Sequence, residues 1–324
     1  MSQAKTKATK AKKAVTKGNR QDVYERVTAK IVDDLENGVR TWMKPWNADH
    51  AAGRITQPLR ANGKGYRGIN VVMLWAAAVE HGFSAPIWMT YKQAQELGGQ
   101  VQKGSKGSLV VYANKLTREE EDPSSGQTVE REIPFMKGYT VFNVEQIDGL
   151  PAHFYAPATP VLDPVQRIES AESYFAAIGA DIRHGGNQAY YTAAEDRVQM
   201  PLFETFRDAE SYYAVLAHEL THWTKHNKRL DRDFRRKRWG DKGYAREELV
   251  AELGSAFLAA ELGLYLEPRE DHAAYLASWL KVLKEDKRAI FSAASHAQRA
   301  VDYLHQRAGR AEMTSSQDAA AQAA

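Results

Sequence analysis

His218 and His222, with Glu219 directly after the first, can act together only if the chain between them is helical. Residues four apart share one face of a helix, one turn apart, whereas in a strand the same spacing would separate them by roughly 13 Å. Residues 208–226 meet that demand. Asp208 is an N-cap, Glu210 falls in the first turn, and Lys225 and His226 fall in the last, all favourable to the helix dipole. Tyr213, Leu216, Leu220 and Trp223 supply the apolar stripe. On such a helix both imidazoles aim at one ion. Glu219 projects beside it, where it can take a proton from metal-bound water whose pKa zinc lowers to about 7.

The chain has no cysteine, so thiolate ligands, disulfides and a cysteine nucleophile are excluded. A metal must be held by histidine and carboxylate. Lys225 and Lys228 stand where an H-E-x-x-H-x-x-G-x-x-H motif needs glycine and a third histidine, which rules out the metzincin arrangement. His226 lies two turns from His218 and reads as a helix C-terminal cation. The third ligand is expected from "REELVAELGSAFLAAELG", an amphipathic helix with Leu249, Leu253, Ala256 and Ala260 turned inward. Glu248 and Glu252 stand four apart on a neighbouring face. We assign Glu248 to the metal, Glu252 to orienting a ligand imidazole, and Glu247 to a different direction. The bland alternative is a solvated acidic helix face.

At 324 residues, with 43% hydrophobic and 26% charged residues, the chain is long enough for two compact domains, each with its own core. It has no apolar run long enough to cross a membrane and no secretory signal, which points to an intracellular, cytoplasmic setting. The expected class is α+β: a basic disordered tail over 1–20, a first domain over 21–150, a linker over 151–162, a mostly helical second domain over 163–308, and a frayed tail over 309–324. Val23, Val27, Ile31 and Leu35 predict a helix over 22–37. Others start at Asn70 and at Thr90, where Thr90 and Gln93 have capping-box spacing. "KGSLVVYANKL" and "IPFMKGYTVFNV" read as strands flanking a long polar hairpin tip. After the linker come a helix opened by Asp163 and Pro164, then "AYYT" and "RVQMP" as short strands. Helices follow over 208–226, 244–262 and twice within 272–308.

The opening twenty residues carry a charge of +7, which leaves the rest slightly acidic against a whole-chain charge of +3. This tail is either a polyanion-binding arm or a solubilising extension. Residues 38–117 hold ten Lys or Arg against three acids, interleaved with aromatic rings. Cations that track phosphates and rings that stack on bases are the ingredients of single-strand binding. The candidates are Trp42, Lys44 and Trp46 in "RTWMKPWN", Lys64, Tyr66 and Arg67 in "RANGKGYRGIN", Lys103 and Lys106 in "QKGSKGS", and Trp88. Trp75 reads as core, and Trp88 fits either role. Residues 224–246 also hold ten Lys or Arg against three acids. They are either a solvated surface or a face for an acidic partner or nucleic acid beside the metal, with Arg235, Arg236 and Arg238 at its centre.

The H-E-x-x-H helix followed by "ELVAE" resembles the gluzincin metallopeptidases, in which a second-helix glutamate completes the site. Glu252 stands where those enzymes usually have aspartate. That resemblance implies an edge strand before the active helix to receive peptide, a role for which "DRVQMP" is placed. Tyr265, His272 and Tyr275 are candidates to polarise the scissile carbonyl. Across residues 20–308, "DVYERVTAKIVDDLENGVRTWMKPW", "GYRGINVVML", "WMTYKQAQELGGQVQKGSKG", "YTVFNVEQIDGL" and "AHELTHW" are similar to the ArdC-type antirestriction proteins of conjugative plasmids and their TraC primase relatives. The resemblance implies an N-terminal single-stranded-DNA-binding domain, a C-terminal zincin-like metallopeptidase domain, and protection of incoming plasmid DNA from restriction; zinc is the expected cofactor, and a host protein is one candidate substrate, which the sequence does not identify. Two other classes compete: a DNA-binding accessory module with a structural metal, and a metalloprotease merely localised by its basic domain.

Overall fold

The computed structural model describes residues 22–37, 57–121, 128–155, 164–235, 241–264 and 272–310. The chain opens with α1 (Val23–Glu36), whose N-cap Asp22 accepts a bond from Glu25 N at 2.8 Å. Val27, Ile31 and Leu35 are buried along one stripe, as the four-residue spacing requires. Strand β1 (Leu59–Arg60) precedes α2 (Ile69–His81), which stops at Gly82 because only a left-handed residue, φ 72°, can close it there. Strand β2 (Ile87–Thr90) runs straight into α3 (Tyr91–Glu96) through the reciprocal Thr90 and Gln93 capping box. After β3 (Gln100–Val101) come the long strands β4 (Ser108–Glu121) and β5 (Thr128–Asn143), then β6 (Ile147–Asp148).

The first sheet has the order β1-β2-β5-β4, parallel only between β1 and β2. Pairing of β4 with β5 runs from Ser108 opposite Val141 out to Glu121 opposite Thr128, so most of the expected polar tip is itself strand. The edge strand β4 is held at Val111, whose N and O bond the Asn70 side chain at 2.7 and 2.8 Å. Residues 151–155, expected as linker, fold back instead: Phe154 is buried with Met89, Val101, Val144 and Ile147 in a small separate core. The basic tail, the rest of the expected linker and the final tail beyond Arg310 lie outside the described residues.

The second half begins with α4 (Pro164–Ile178), followed by β7 (Asp181–His184), β8 (Tyr190–Thr192) and β9 (Arg197–Met200). Four helices complete it: α5 (Ala209–Trp223), α6 (Lys242–Leu262), α7 (His272–Glu285) and α8 (Ala289–Arg307). Here the expectation for "DRVQMP" fails. The order is β7-β9-β8, so β9 is central and its backbone is paired on both sides, leaving no free edge to receive a peptide. The edges belong to β7, which sequence reading missed, and to β8.

The two halves do not bury separate main cores. One continuous cluster takes in Ile31, Trp75 and Trp88 from the first half and Leu220, Phe257 and Ile290 from the second. Trp75 meets Phe257 at 6.0 Å and Tyr24 meets Phe291 at 4.6 Å. Gly68 N donates to Gln298 Oε1 at 3.0 Å, and Arg67 pairs with Asp302. Thus α7 and α8 serve as a common base for both halves. No helix among the described residues is long and apolar enough to cross a membrane.

Candidate metal centre

Helix α5 starts where Asp208 accepts from Ser211 N at 2.7 Å, and its last turns present His218, Glu219 and His222 to α6. All three are buried, with Glu219 only 4% exposed. From α6, Glu248 reaches both imidazoles: Oε2 lies 3.6 Å from His218 Nε2 and Oε1 3.5 Å from His222 Nε2. One ligand atom from each of the three residues fits within a 4.8 Å circle. Tetrahedral zinc with bonds near 2.05 Å would set ligand atoms about 3.3 Å apart, so the donor set fits such an ion with little adjustment. Burial alone would raise the Glu248 carboxyl. The facing His222 and His218 outweigh it and hold the group well below the usual carboxylate range, in its ligating form.

The outer contacts differ in part from expectation. Glu252 does face His218, with Oε2 at 3.6 Å from Nδ1. Glu247, expected to point elsewhere, accepts at Oε1 from His222 Nδ1 at 2.9 Å and is itself clamped by Arg232 through Nε at 2.8 Å and Nη2 at 2.9 Å. Burial would raise Glu247, but Arg232 and then His222 bring it down to about 2. Each imidazole therefore has a carboxylate near its Nδ1, and at His222 the hydrogen bond to Glu247 fixes which nitrogen faces the metal position. Sequence could not choose Glu247, since it flanks Glu248 by 100° of helix and only the placement of α5 decides which flank is covered. Arg232 lies in a connector with no period to read.

The approach of the two helices depends on a glycine. A Cβ at Gly254 would meet Thr221 Cγ2 at 2.6 Å and Oγ1 at 2.8 Å, and at the next residue Ser255 Oγ donates to Ala214 O at 3.0 Å. Replacing Gly254 with leucine is expected to force α6 off α5. The variant should lose about 1–3 kcal/mol in denaturant titration and bind metal more weakly, since Glu248 moves with α6. An unchanged metal affinity would show that the helix spacing is not what sets the site.

Other expected residues fall elsewhere. His226 sits in the turn after α5 beside Asp196, at 4.0 Å, and outside the ligand cluster. Much of the basic connector turns inward: Arg232 is buried, and Arg229 lies over the Trp223 ring at 3.9 Å while bonding Asp196. Arg236 and Arg238 lie outside the described residues, as do Tyr265 and the side chains of His272 and Tyr275. Of the DNA-binding candidates, Trp42, Lys44 and Trp46 are likewise outside. Trp88 is 1% exposed and Tyr66 7%, so neither offers a ring face to a base. Both are core residues: Trp88 fills the space under the sheet at β2, and Tyr66 packs into the same cluster from the segment between β1 and α2. Arg67 is tied to Asp302, Lys64 is half-buried, and Lys103 and Lys106 are exposed.

Comparison with known proteins covers both halves. Residues 21–142 match the N-terminal domain of anti-restriction factor ArdC, and residues 169–296 match a zincin-like metallopeptidase family. The chain is 48% identical over 288 residues to the uncharacterized protein y4eC of Sinorhizobium fredii (strain NBRC 101917 / NGR234), covering 88% of this chain and 92% of that one. It is 40% identical over 296 residues to DNA primase TraC of Escherichia coli, which is 87% of this chain but only 27% of the primase. Two crystal structures of antirestriction protein ArdC from plasmid R388, one metal-free and one Mn(II)-bound, match with TM-scores of 0.75 and 0.73. Their identities are 47% and 46%, and each match covers 90% of this chain and 100% of the other.

Proposed function

The chain belongs to the ArdC antirestriction family and carries its zincin-like metallopeptidase domain, and from that premise we propose a zinc-dependent peptidase joined to a single-stranded-DNA-binding half that protects incoming plasmid DNA. The observation that carries the peptidase reading is the convergence of His218, His222 and Glu248 from two successive helices, with Glu219 buried beside them. Two imidazoles and one carboxylate in a buried, cysteine-free site are a donor set suited to zinc, whereas manganese favours more oxygen ligands. Bound there, the ion would act as a Lewis acid and bring water to a nucleophilic state near neutral pH.

The protein's own residues supply the rest. Glu247 holds the His222 imidazole in one tautomer through its hydrogen bond to Nδ1, Glu252 faces Nδ1 of His218 at 3.6 Å, and both rings present Nε2 to Glu248. Glu219 accepts a proton from the attacking water and returns it to the departing amine. A protein of the host is the fitting substrate, reached by an extended segment pairing with a free edge of the β7-β9-β8 sheet, at β7 or β8. The first half contributes DNA affinity, and with it a setting in the cytoplasm where plasmid DNA enters. The test is elemental analysis of the purified protein beside His222→Ala and Glu248→Ala, with gel shifts on single- and double-stranded oligonucleotides. About one equivalent of zinc in the wild type should fall far below one in both variants, while the single-strand shift persists in all three. Zinc retained at full stoichiometry by Glu248→Ala would defeat the three-ligand reading.

A further inference from the structure

The rings first expected to stack on bases, Trp88 and Tyr66, are buried, so a single strand would need other aromatic faces. The β4–β5 hairpin offers them. Tyr112 stands opposite Lys137, Asn114 opposite Phe135 and Val110 opposite Tyr139. Cross-strand partners and residues two apart project to the same side of a sheet, so Tyr112, Phe135, Lys137 and Tyr139 share one face. The opposite face is occupied: a Cβ at Gly138, the partner of Val111, would lie 2.9 Å from Leu109 and 3.7 Å from Val23 of α1. The aromatic face therefore points away from α1; its inner end, at Val110 and Val141, is buried in the core, and its outer part, at Phe135 and Lys137, is exposed. Tyr112 meets Phe135 at 6.0 Å and Tyr139 at 6.5 Å, both edge-on; Tyr112 and Tyr139 are half-buried, Tyr139 packing against the main core, so Phe135 is the most exposed ring of the three. Phe135 is 41% exposed, and Lys137 Nζ stands 5.0 Å above the Tyr139 ring.

We infer that this face of the hairpin, built from Tyr112, Phe135, Lys137 and Tyr139, is a stacking platform for single-stranded nucleic acid. The inference rests on the DNA-binding reading above and gives it a location. The combination of groups selects the occupant. Bases stack on rings whatever their sequence, and a cation held among the rings meets the phosphates between them. A purely apolar partner would instead bury the Lys137 ammonium without a counter-charge. Exposed Lys103 and Lys106, in the segment just before β4, add cations that draw phosphates toward the base of the hairpin.

The experiment is fluorescence anisotropy of the full-length protein with a labelled single-stranded oligonucleotide across a salt series, with thermal melts to verify folding. Phe135→Ala and Tyr112→Ala should each weaken binding by about 5- to 150-fold, and Phe135→Trp should restore it. Lys137→Gln should lower the slope of log affinity against log salt by about one. If the wild type binds the oligonucleotide and both alanine variants bind equally well, the platform is refuted while the DNA-binding reading stands. If the folded wild type does not bind single strands at all, both fall together.

Discussion

Glu219→Gln is expected to lower peptide hydrolysis by about 10²- to 10⁴-fold while leaving fold and metal content unchanged. The substitution preserves shape and volume at a site 4% exposed, so it opens no cavity in α5. Glu219 also lies outside the candidate donor set, which His218, His222 and Glu248 make up. What the amide lacks is the capacity to accept a proton. Turnover should therefore drop without a matching rise in KM, the pattern of an interaction made only in the transition state. The measurements are cleavage of an unstructured protein substrate, metal stoichiometry and melting temperature on the same preparation. Equal hydrolysis by the variant would remove Glu219 from the chemistry. A variant that is inactive as a peptidase yet still protects DNA from restriction would favour the accessory-module reading, in which the metal is structural.

Arg232→Met is expected to cost about 3–5 kcal/mol of stability, the usual consequence of leaving a buried carboxylate without its cation. Arg232 is 6% exposed and Glu247 7%, and two guanidinium nitrogens bond the carboxylate at 2.8 and 2.9 Å. Arg232 also donates to Thr221 O at 2.9 Å, so the same side chain ties the connector to α5. Adding Glu247→Met to Arg232→Met should recover much of the loss, because the stranded charge goes with its partner. The pH dependence follows from the same pair. The folded Glu247 carboxyl is depressed from its ordinary 4.5 to about 2. Its contribution is therefore complete above pH 4.5 and fades as pH falls through that window toward 2. Arg232→Met should flatten this part of the acid-unfolding curve. Metal affinity should weaken by about 10- to 100-fold in the variant as His222 loses its fixed orientation. Wild-type stability in the single variant would mean that the ion pair contributes little.

The pairing of His218 and His222 on one face of α5, its capping by Asp208 and the α3 capping box were legible because each depends on residues within one or two turns. The approach of Glu248 to both imidazoles was legible for a related reason: a carboxylate on the next amphipathic helix is the nearest candidate to complete two imidazoles when cysteine is absent. β7 was missed because "DIRH" is four mostly polar residues whose strand character comes from pairing with β9. Tyr66 and Trp88, the latter left open between core and base stacking, are both core, because composition counts rings without saying which of them the fold buries.

Local spacing and residue chemistry by themselves determined which groups could hold a divalent ion and which helix carried them. Tertiary structure alone decided that Glu247 and Arg232 stand behind His222, that β9 lies between β7 and β8, and that Trp75 seals one core across both halves. The reason is physical: an i to i+4 relation is fixed by helix pitch wherever the helix lies, whereas contacts between distant segments depend on how closely packed surfaces meet. Here that closeness was set where Gly254 lets α6 rest against Thr221 of α5.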